Sequence, residues 1–264
     1  MKKIHPTARI SDSAFIEDNV YIGENSEIGE ETYIGYGAYI GPNVKIGMKN
    51  KIYPYAVVGT PPQHLDHKES DTTYVEIGDE NIIREFATIH SGTVVGGGVT
   101  RIGNKNYIMA YAHVGHDSKV GNGCVLTSFC ALAGHSEVGD RTVFGGFSGT
   151  HQFVRVGKFV MIGAASFPAK DVPPFVLVAG VEARIAGLNL VGLRRAGVPS
   201  SEIEKLKEAF RIYVASDEKI EQVAEIIKQI DPSSQYICEF YEFLVSKSKR
   251  GFLKKHLKDE MSVR

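Results

Sequence analysis

An aliphatic residue stands at every sixth position through the first quarter of the chain: Ile4, Ile10, Ile16, Ile22, Ile28, Ile34, Ile40, Ile46, Ile52 and Val58. Few folds can use that spacing. A helix wants a period near 3.6 and is weakened by the glycine and β-branched residues found here. A short strand and a corner do fit into six residues, and three such units close a triangular coil of eighteen whose aliphatics stack inward from coil to coil. The chain therefore reads as mainly β, a parallel β-helix of hexapeptide repeats. Glycine follows the aliphatic at Gly23, Gly29, Gly35, Gly41, Gly47 and Gly59. The expectation is that these glycines turn the corners, with backbone angles closed to residues bearing a Cβ.

The register breaks twice. Residues near 60–74 are polar and carry Pro61 and Pro62, after which aliphatics resume at Ile77, Ile83, Ile89 and Val95. A Gly-rich interruption near 95–101 ("VVGGGVT") precedes Ile102, Ile108, Val114, Val120, Leu126, Leu132, Val138 and Phe144, with Thr150 and Pro168 in aliphatic slots on either side of Val156 and Ile162. Both interruptions read as inserted loops, and a solenoid gains nothing from a loop except function. From about residue 183 the pattern turns helical. Ser201 and Glu204 form a capping box before Ile203, Leu206, Phe210 and Tyr213 on one face. Ile220, Val223, Ile227 and Ile230 mark a second helix, and Phe240, Phe243 and Leu244 a third. Two domains result: a β-helix over 1–182 and a helical domain over 183–264.

A formal net charge of −1 argues against nucleic acid as the main partner. No apolar run approaches a membrane span or a signal peptide, so a cytoplasmic location without membrane insertion is expected. Cys124, Cys130 and Cys238 are scattered and suggest neither disulfides nor a thiolate zinc site.

If a coil is eighteen residues, Val114, Leu132 and Thr150 share one slot. His116 then stacks on Gly134 and Gln152, Gly115 on Ala133 and His151, and Asp117 on His135. One edge of three coils thus gathers polar and titratable side chains around a bare glycine, with His113 close by. Three readings are open: corner residues wetted by solvent, a histidine zinc site, or a general base with an amide to receive an oxyanion.

The segments "IREFATIHSGT", "MAYAHVGHD", "LAGH", "HQF", "DVPPF" and "GLNLVGLRR" together resemble the UDP-N-acetylglucosamine 3-O-acyltransferases, which act at the start of lipid A synthesis. The resemblance runs through nearly the whole chain. It implies a left-handed coil and a homotrimer. It also implies transfer of a 3-hydroxyacyl chain from acyl carrier protein to the 3-position of a UDP-sugar, with no metal and no cofactor. By the same resemblance His116 is the general base, Asp117 its orienter and Gly134 the oxyanion donor. His113, His135, His151 and Gln152 line the substrate site, Gln63 and His64 belong to the sugar loop, Met161 and Ala164 end the acyl groove, and Asn189 and Arg195 meet the nucleotide and its phosphates.

The chain departs from the family pattern at several of these places. The loop reads Gln63-His64-Leu65-Asp66 where Gln-Asp-Leu-Lys is common, which suggests a 3-amino sugar as an alternative acceptor. Val191 and Ala196 replace a glutamate and an arginine of the nucleotide site. The sister N-acyltransferase normally has a domain before its repeats, and here the repeat starts at Ile4. A catalytically silent binding module is the remaining alternative. Basic residues Lys247, Lys249, Arg250, Lys254, Lys255 and Lys258 are candidates for meeting an acidic carrier protein, or are a solvated charge run.

Overall fold

In the computed structural model, residues 1–254 are described. Three sheets of eight, eight and ten strands, parallel except for the last strand of the third, form the walls of a left-handed solenoid. Most strands are two residues long, and successive coils pair eighteen residues apart, as Lys3 with Tyr21 and His113 with Ala131. The aliphatic slots point inward. Ile22, Ile34, Ile40, Ile52, Val58, Ile83, Ile89, Ile108, Val114, Leu126 and Leu132 are all fully buried, which makes one continuous hydrophobic ladder. Thr150 keeps its slot by bonding its hydroxyl to Ser136 Oγ at 2.7 Å. Pro168, which has no amide hydrogen to give, instead accepts at its carbonyl from His151 N at 3.1 Å.

The corners are not turned where expected. Of the six glycines only Gly59 has a left-handed backbone, at φ 80°; after Gly23, Gly29, Gly35, Gly41 and Gly47 the left-handed residue comes two positions later, at Asn25, Glu31, Gly37, Asn43 and Lys49, with φ between 53° and 67°. Glycine is needed at the earlier position for a different reason. A Cβ on Gly23 would lie 2.6 Å from Pro42 N, and one on Gly41 would lie 2.0 Å from Gly59 O. It is the approach of the next coil, at strand spacing, that excludes a side chain there.

The first insertion leaves after the strand Val57–Thr60 and returns at Tyr74–Ile77. The second lies between Thr88–His90 and Val99–Ile102, and holds a single 3-10 turn at Val94–Gly96. Val95 is thus not a core slot: it lies in that turn and is 82% exposed, because the chain has already left the coil. Across the insertions the pairing offset rises from 18 to 31 and then 25 residues, as buried Asn50 bonds Asn81 and Asn81 bonds Asn106.

The third sheet ends in an antiparallel pair, Val176–Ala179 with Arg184–Leu188, so the division drawn at 182 falls in the turn between them. Four helices follow: α1 (Leu190–Arg195), α2 (Ser200–Ala215), α3 (Ile220–Lys228) and α4 (Gln235–Val245). Helix α1 was not anticipated; Asn189 caps it by accepting from Gly192 N. The capping box is absent. Helix α2 begins at Ser200 behind Pro199, which places Ser201 inside the first turn, and Glu204 bonds Lys207 instead. The side-chain cap appears on α4, where Ser234 accepts from Ile237 N. Phe175 packs against both Phe159 of the last coils and Phe240 of α4, which joins the two domains. Lys255 and Lys258 lie outside the described residues.

Candidate active site

The strand His113–Val114 belongs to the first sheet, and the chain then turns toward the second. Asp117 takes the left-handed corner position with φ 60°. That angle swings its carboxylate back toward its neighbour, although consecutive strand residues would point apart. His116 Nδ1 and Asp117 Oδ2 are 2.8 Å apart, and both residues are buried. A carboxylate at Nδ1 keeps the proton there and leaves Nε2 free to accept.

The eighteen-residue stacking sets the other face of the ring. A Cβ on Gly134 would lie 2.5 Å from both Cε1 and Nε2 of His116, so only a glycine fits beneath the imidazole. In the neighbouring corner column the amide one residue past the glycine is capped by a side chain of the next coil, as Asn104 N is by Asn122 and Asn122 N by Asp140. Gly134 N has no partner among the described residues. The residue packed beneath His116 Nε2 thus carries an unspent N–H, the kind of donor a developing oxyanion requires.

A cavity of about 300 Å³ opens on this edge, lined by Gln63, His90, His113, His116, Gly134 and Gln152, with Phe167 at one end. Two imidazoles crowd His116, and two more pair beside it. His64 stands edge-on to His116 with centroids 5.5 Å apart, His135 likewise at 5.2 Å, and His90 meets His113 at 5.1 Å. Burial pushes His113 down to about 4, helped by repulsion from His90 and His116, and its Nδ1 is 2.8 Å from Thr88 Oγ1. Burial likewise lowers His90 and His135. The neutral forms of His90, His113 and His135 are therefore favoured beside the His116–Asp117 pair, a setting suited to taking a proton from a neutral hydroxyl.

His116, Asp117 and His135 offer donor atoms within 4.8 Å of one another. As arranged they suit a hydrogen-bonded relay better than an ion. Asp117 Oδ2 already takes His116 Nδ1 at 2.8 Å and the Thr93 hydroxyl at 2.7 Å, and a metal would have to displace both.

Behind the pair, a second cavity of about 610 Å³ is bordered by His64, Asp117, His135, Lys119, Lys247 and Lys249. Lys249 lies over the Phe153 ring, which stacks on His135. A larger groove of about 780 Å³ follows the second sheet beneath α4, but its charges are spent on each other, as in Arg101 with Glu76 and Lys119 with Glu137.

Several residues singled out in the sequence are not brought to the small cavity. His151 is exposed, and Met161 sits on the third sheet between Val143 and Leu177. Ala164 stacks over Gly145 at the following corner. Asn189 spends both ends of its amide, on Gly192 N and Phe159 O, and Arg195 closes α1 in solvent. Conversely His90, Thr88, Thr93 and Thr100 belong to the site and were not singled out. For Thr88, His90 and Thr93 the second insertion intervenes and the offset is 25 rather than 18, so an eighteen-residue count cannot place them; Thr100, which lies past the insertion and 17 residues before Asp117, was within reach of that count.

Comparison with known proteins places the chain. Residues 171–253 match the second domain of Udp N-acetylglucosamine O-acyltransferases, and residues 7–42, 25–60 and 99–134 match bacterial transferase hexapeptide repeats. The acyl-[acyl-carrier-protein]–UDP-N-acetylglucosamine O-acyltransferase of Burkholderia orbicola is 43% identical over 209 residues, 78% of this chain and 79% of that protein. The chain belongs to the UDP-N-acetylglucosamine O-acyltransferase family. Solved members agree. The Francisella novicida enzyme superposes with a TM-score of 0.85 at 38% identity, covering 96% of this chain and 94% of its own, and the Campylobacter jejuni enzyme with 0.82 at 38%, covering 96% and 100%.

Proposed function

We propose that this chain transfers a 3-hydroxyacyl group from the thioester of acyl carrier protein to the 3-hydroxyl of UDP-N-acetylglucosamine, the first acylation of lipid A synthesis. The observation that carries the reading is His116 Nδ1 bonded to Asp117 while Nε2 lies close over Gly134, whose amide is unspent among the described residues. His116 Nε2 takes the proton of the sugar hydroxyl as its oxygen attacks the thioester carbonyl. Gly134 N–H receives the oxyanion, the C–S bond breaks, and the departing thiolate is protonated by the imidazolium. The thioester already activates the acyl group, so the scheme uses no cofactor and no metal.

The other site roles follow from the same arrangement. Gln63, His113 and His135 hold the sugar around the base and Gln152 borders the acyl carbonyl; Met161 and Ala164, which lie away from the small cavity, bound the acyl chain farther along the coil by likeness to the family alone. His151, Asn189 and Arg195 lie outside the chain's own cavity, which supports a homotrimer in which a neighbouring copy supplies them. The basic rim of Lys247 and Lys249 supports acyl carrier protein as the donor's bearer. No helix among the described residues is long and apolar enough to cross a membrane, in keeping with a cytoplasmic enzyme.

The test is a mass-spectrometric assay with 3-hydroxyacyl carrier proteins of several lengths, offered UDP-N-acetylglucosamine and its 3-amino analogue. O-acylation that is lost in His116→Ala while the fold is retained supports the reading. Unchanged turnover in that variant removes the base assignment. Acylation of the amino sugar alone makes His64, edge-on to the base at 5.5 Å, the selector of an N-acyltransferase. Absence of product from either acceptor returns weight to a zinc site or a silent module.

A further inference from the structure

The second insertion closes on one atom group, the Asp117 carboxylate. Thr93 N donates to Oδ1 at 2.8 Å, and Thr93 Oγ1 donates to Oδ2 at 2.7 Å. Gly96 N in turn donates to Thr93 Oγ1 at 3.0 Å, which occupies a lone pair of that hydroxyl and turns its hydrogen to the carboxylate. Thr100 Oγ1 accepts from Asp117 N at 2.8 Å. Gly96 packs so tightly on the carboxylate that a Cβ there would lie 2.2 Å from Asp117 Cγ. Thr93 and Asp117 are each 4% exposed, so water does not stand in for any of these bonds.

We propose that Thr93 is a positioning residue of the reaction: it fixes the Asp117 carboxylate that orients His116, and the Gly-rich insertion exists to deliver it. The relay then runs from the Gly96 amide through the Thr93 hydroxyl and the Asp117 carboxylate to His116 Nδ1. A purely structural account would make Thr93 only the cap of the 3-10 turn, a role in which its oxygen accepts. Both hydrogens that Thr93 sends to the carboxylate are extra to that role.

The kinetic part of the test rests on the acyl-transfer reading; the spectroscopic part does not. In Thr93→Val, kcat should fall about 10- to 100-fold, the worth of a hydrogen bond to a charged group, with KM for both substrates kept within about 2-fold. Loss of the donor leaves Oδ2 more basic toward the imidazole proton. The acid limb of the pH profile should then move up. Thr93→Ser should restore both. Gly96→Ala, which keeps both Thr93 donors but drives a methyl into the carboxylate, should reproduce the loss and guards against a Thr93→Val that fails to fold. In the free protein, the His116 Nδ1–H proton resonance should be downfield in wild type and displaced in Thr93→Val, whatever the substrate proves to be. A folded Thr93→Val with kcat within about 2-fold, an unmoved acid limb and an unmoved resonance would overturn the proposal.

Discussion

Gly134→Ala isolates the contact beneath the base. Gly134 has no left-handed φ, so alanine suits its backbone and the coil has no reason to open. The new methyl would lie 2.5 Å from His116 Nε2 and Cε1 and 3.1 Å from Cδ2, about 1 Å inside ordinary contact. The ring must retreat by that amount, while Asp117 holds Nδ1 at 2.8 Å and His64 and His135 crowd its edges. A base displaced by about 1 Å costs on the order of 100-fold, and kcat/KM for acyl transfer should fall by that factor with the melting temperature little changed. Gly115→Ala is the matched control. Its Cβ would strike backbone, 2.7 Å from Leu132 O and 2.9 Å from Gly134 N, so the coils must part and stability should drop by about 1–3 kcal/mol. Steady-state kinetics and thermal melts on both variants decide the matter. Full activity in Gly134→Ala, or an exchange of the two signatures, would refute the geometry on which the site rests.

Three further outcomes follow from burial. His113, held down to about 4, stays neutral in the folded state while the unfolded chain binds its proton below about pH 6.5, so folding loses stability as the pH falls from there toward 4. Urea titrations should show wild type losing about 1.4 kcal/mol per pH unit more than His113→Gln across that window. Asp171, fully buried, accepts from Arg155 N and from Arg155 Nε at 2.7 Å, and its own backbone bonds Gly251 and Leu253. Asp171→Ala strands the guanidinium and should destabilise the chain by about 3–5 kcal/mol in chemical denaturation. The Cys124 and Cys130 thiols are buried and pushed up to about 12, whereas Cys238 is half-buried, so iodoacetamide should label one cysteine per native chain by intact mass.

The coil was legible because its inward positions recur without exception over long stretches. The stacking of His116 on Gly134 and of Asp117 beside His135, at 3.6 Å, followed from counting eighteen. What the count could not reach was anything an insertion had displaced. His90 lies next to His113 in space, yet 23 positions away in a chain whose local offset is 25. Thr93 is reached only once the loop has folded back on itself. Five of the six corner glycines were assigned the wrong duty, Gly59 being the exception, because a tight approach and a left-handed turn both call for glycine, and the sequence does not say which. Asn189 has a similar ambiguity, since the amide that would meet a nucleotide also caps α1.

The two insertions raise the pairing offset to 31 and to 25, and neither excess over 18 is a multiple of six. Yet Ile89, Val114 and Leu132 remain in line. The solenoid thus behaves like a message with a reading frame. Deleting a single residue between Ile102 and Ile162 would shift every later aliphatic out of the core and every later charge into it. At the two loop exits any number of residues can be gained or lost with the frame restored beyond. Change in length is therefore confined to the two loops that carry His64 and Thr93 to the His116–Asp117 pair, so the solenoid tolerates a change of frame next to its candidate site.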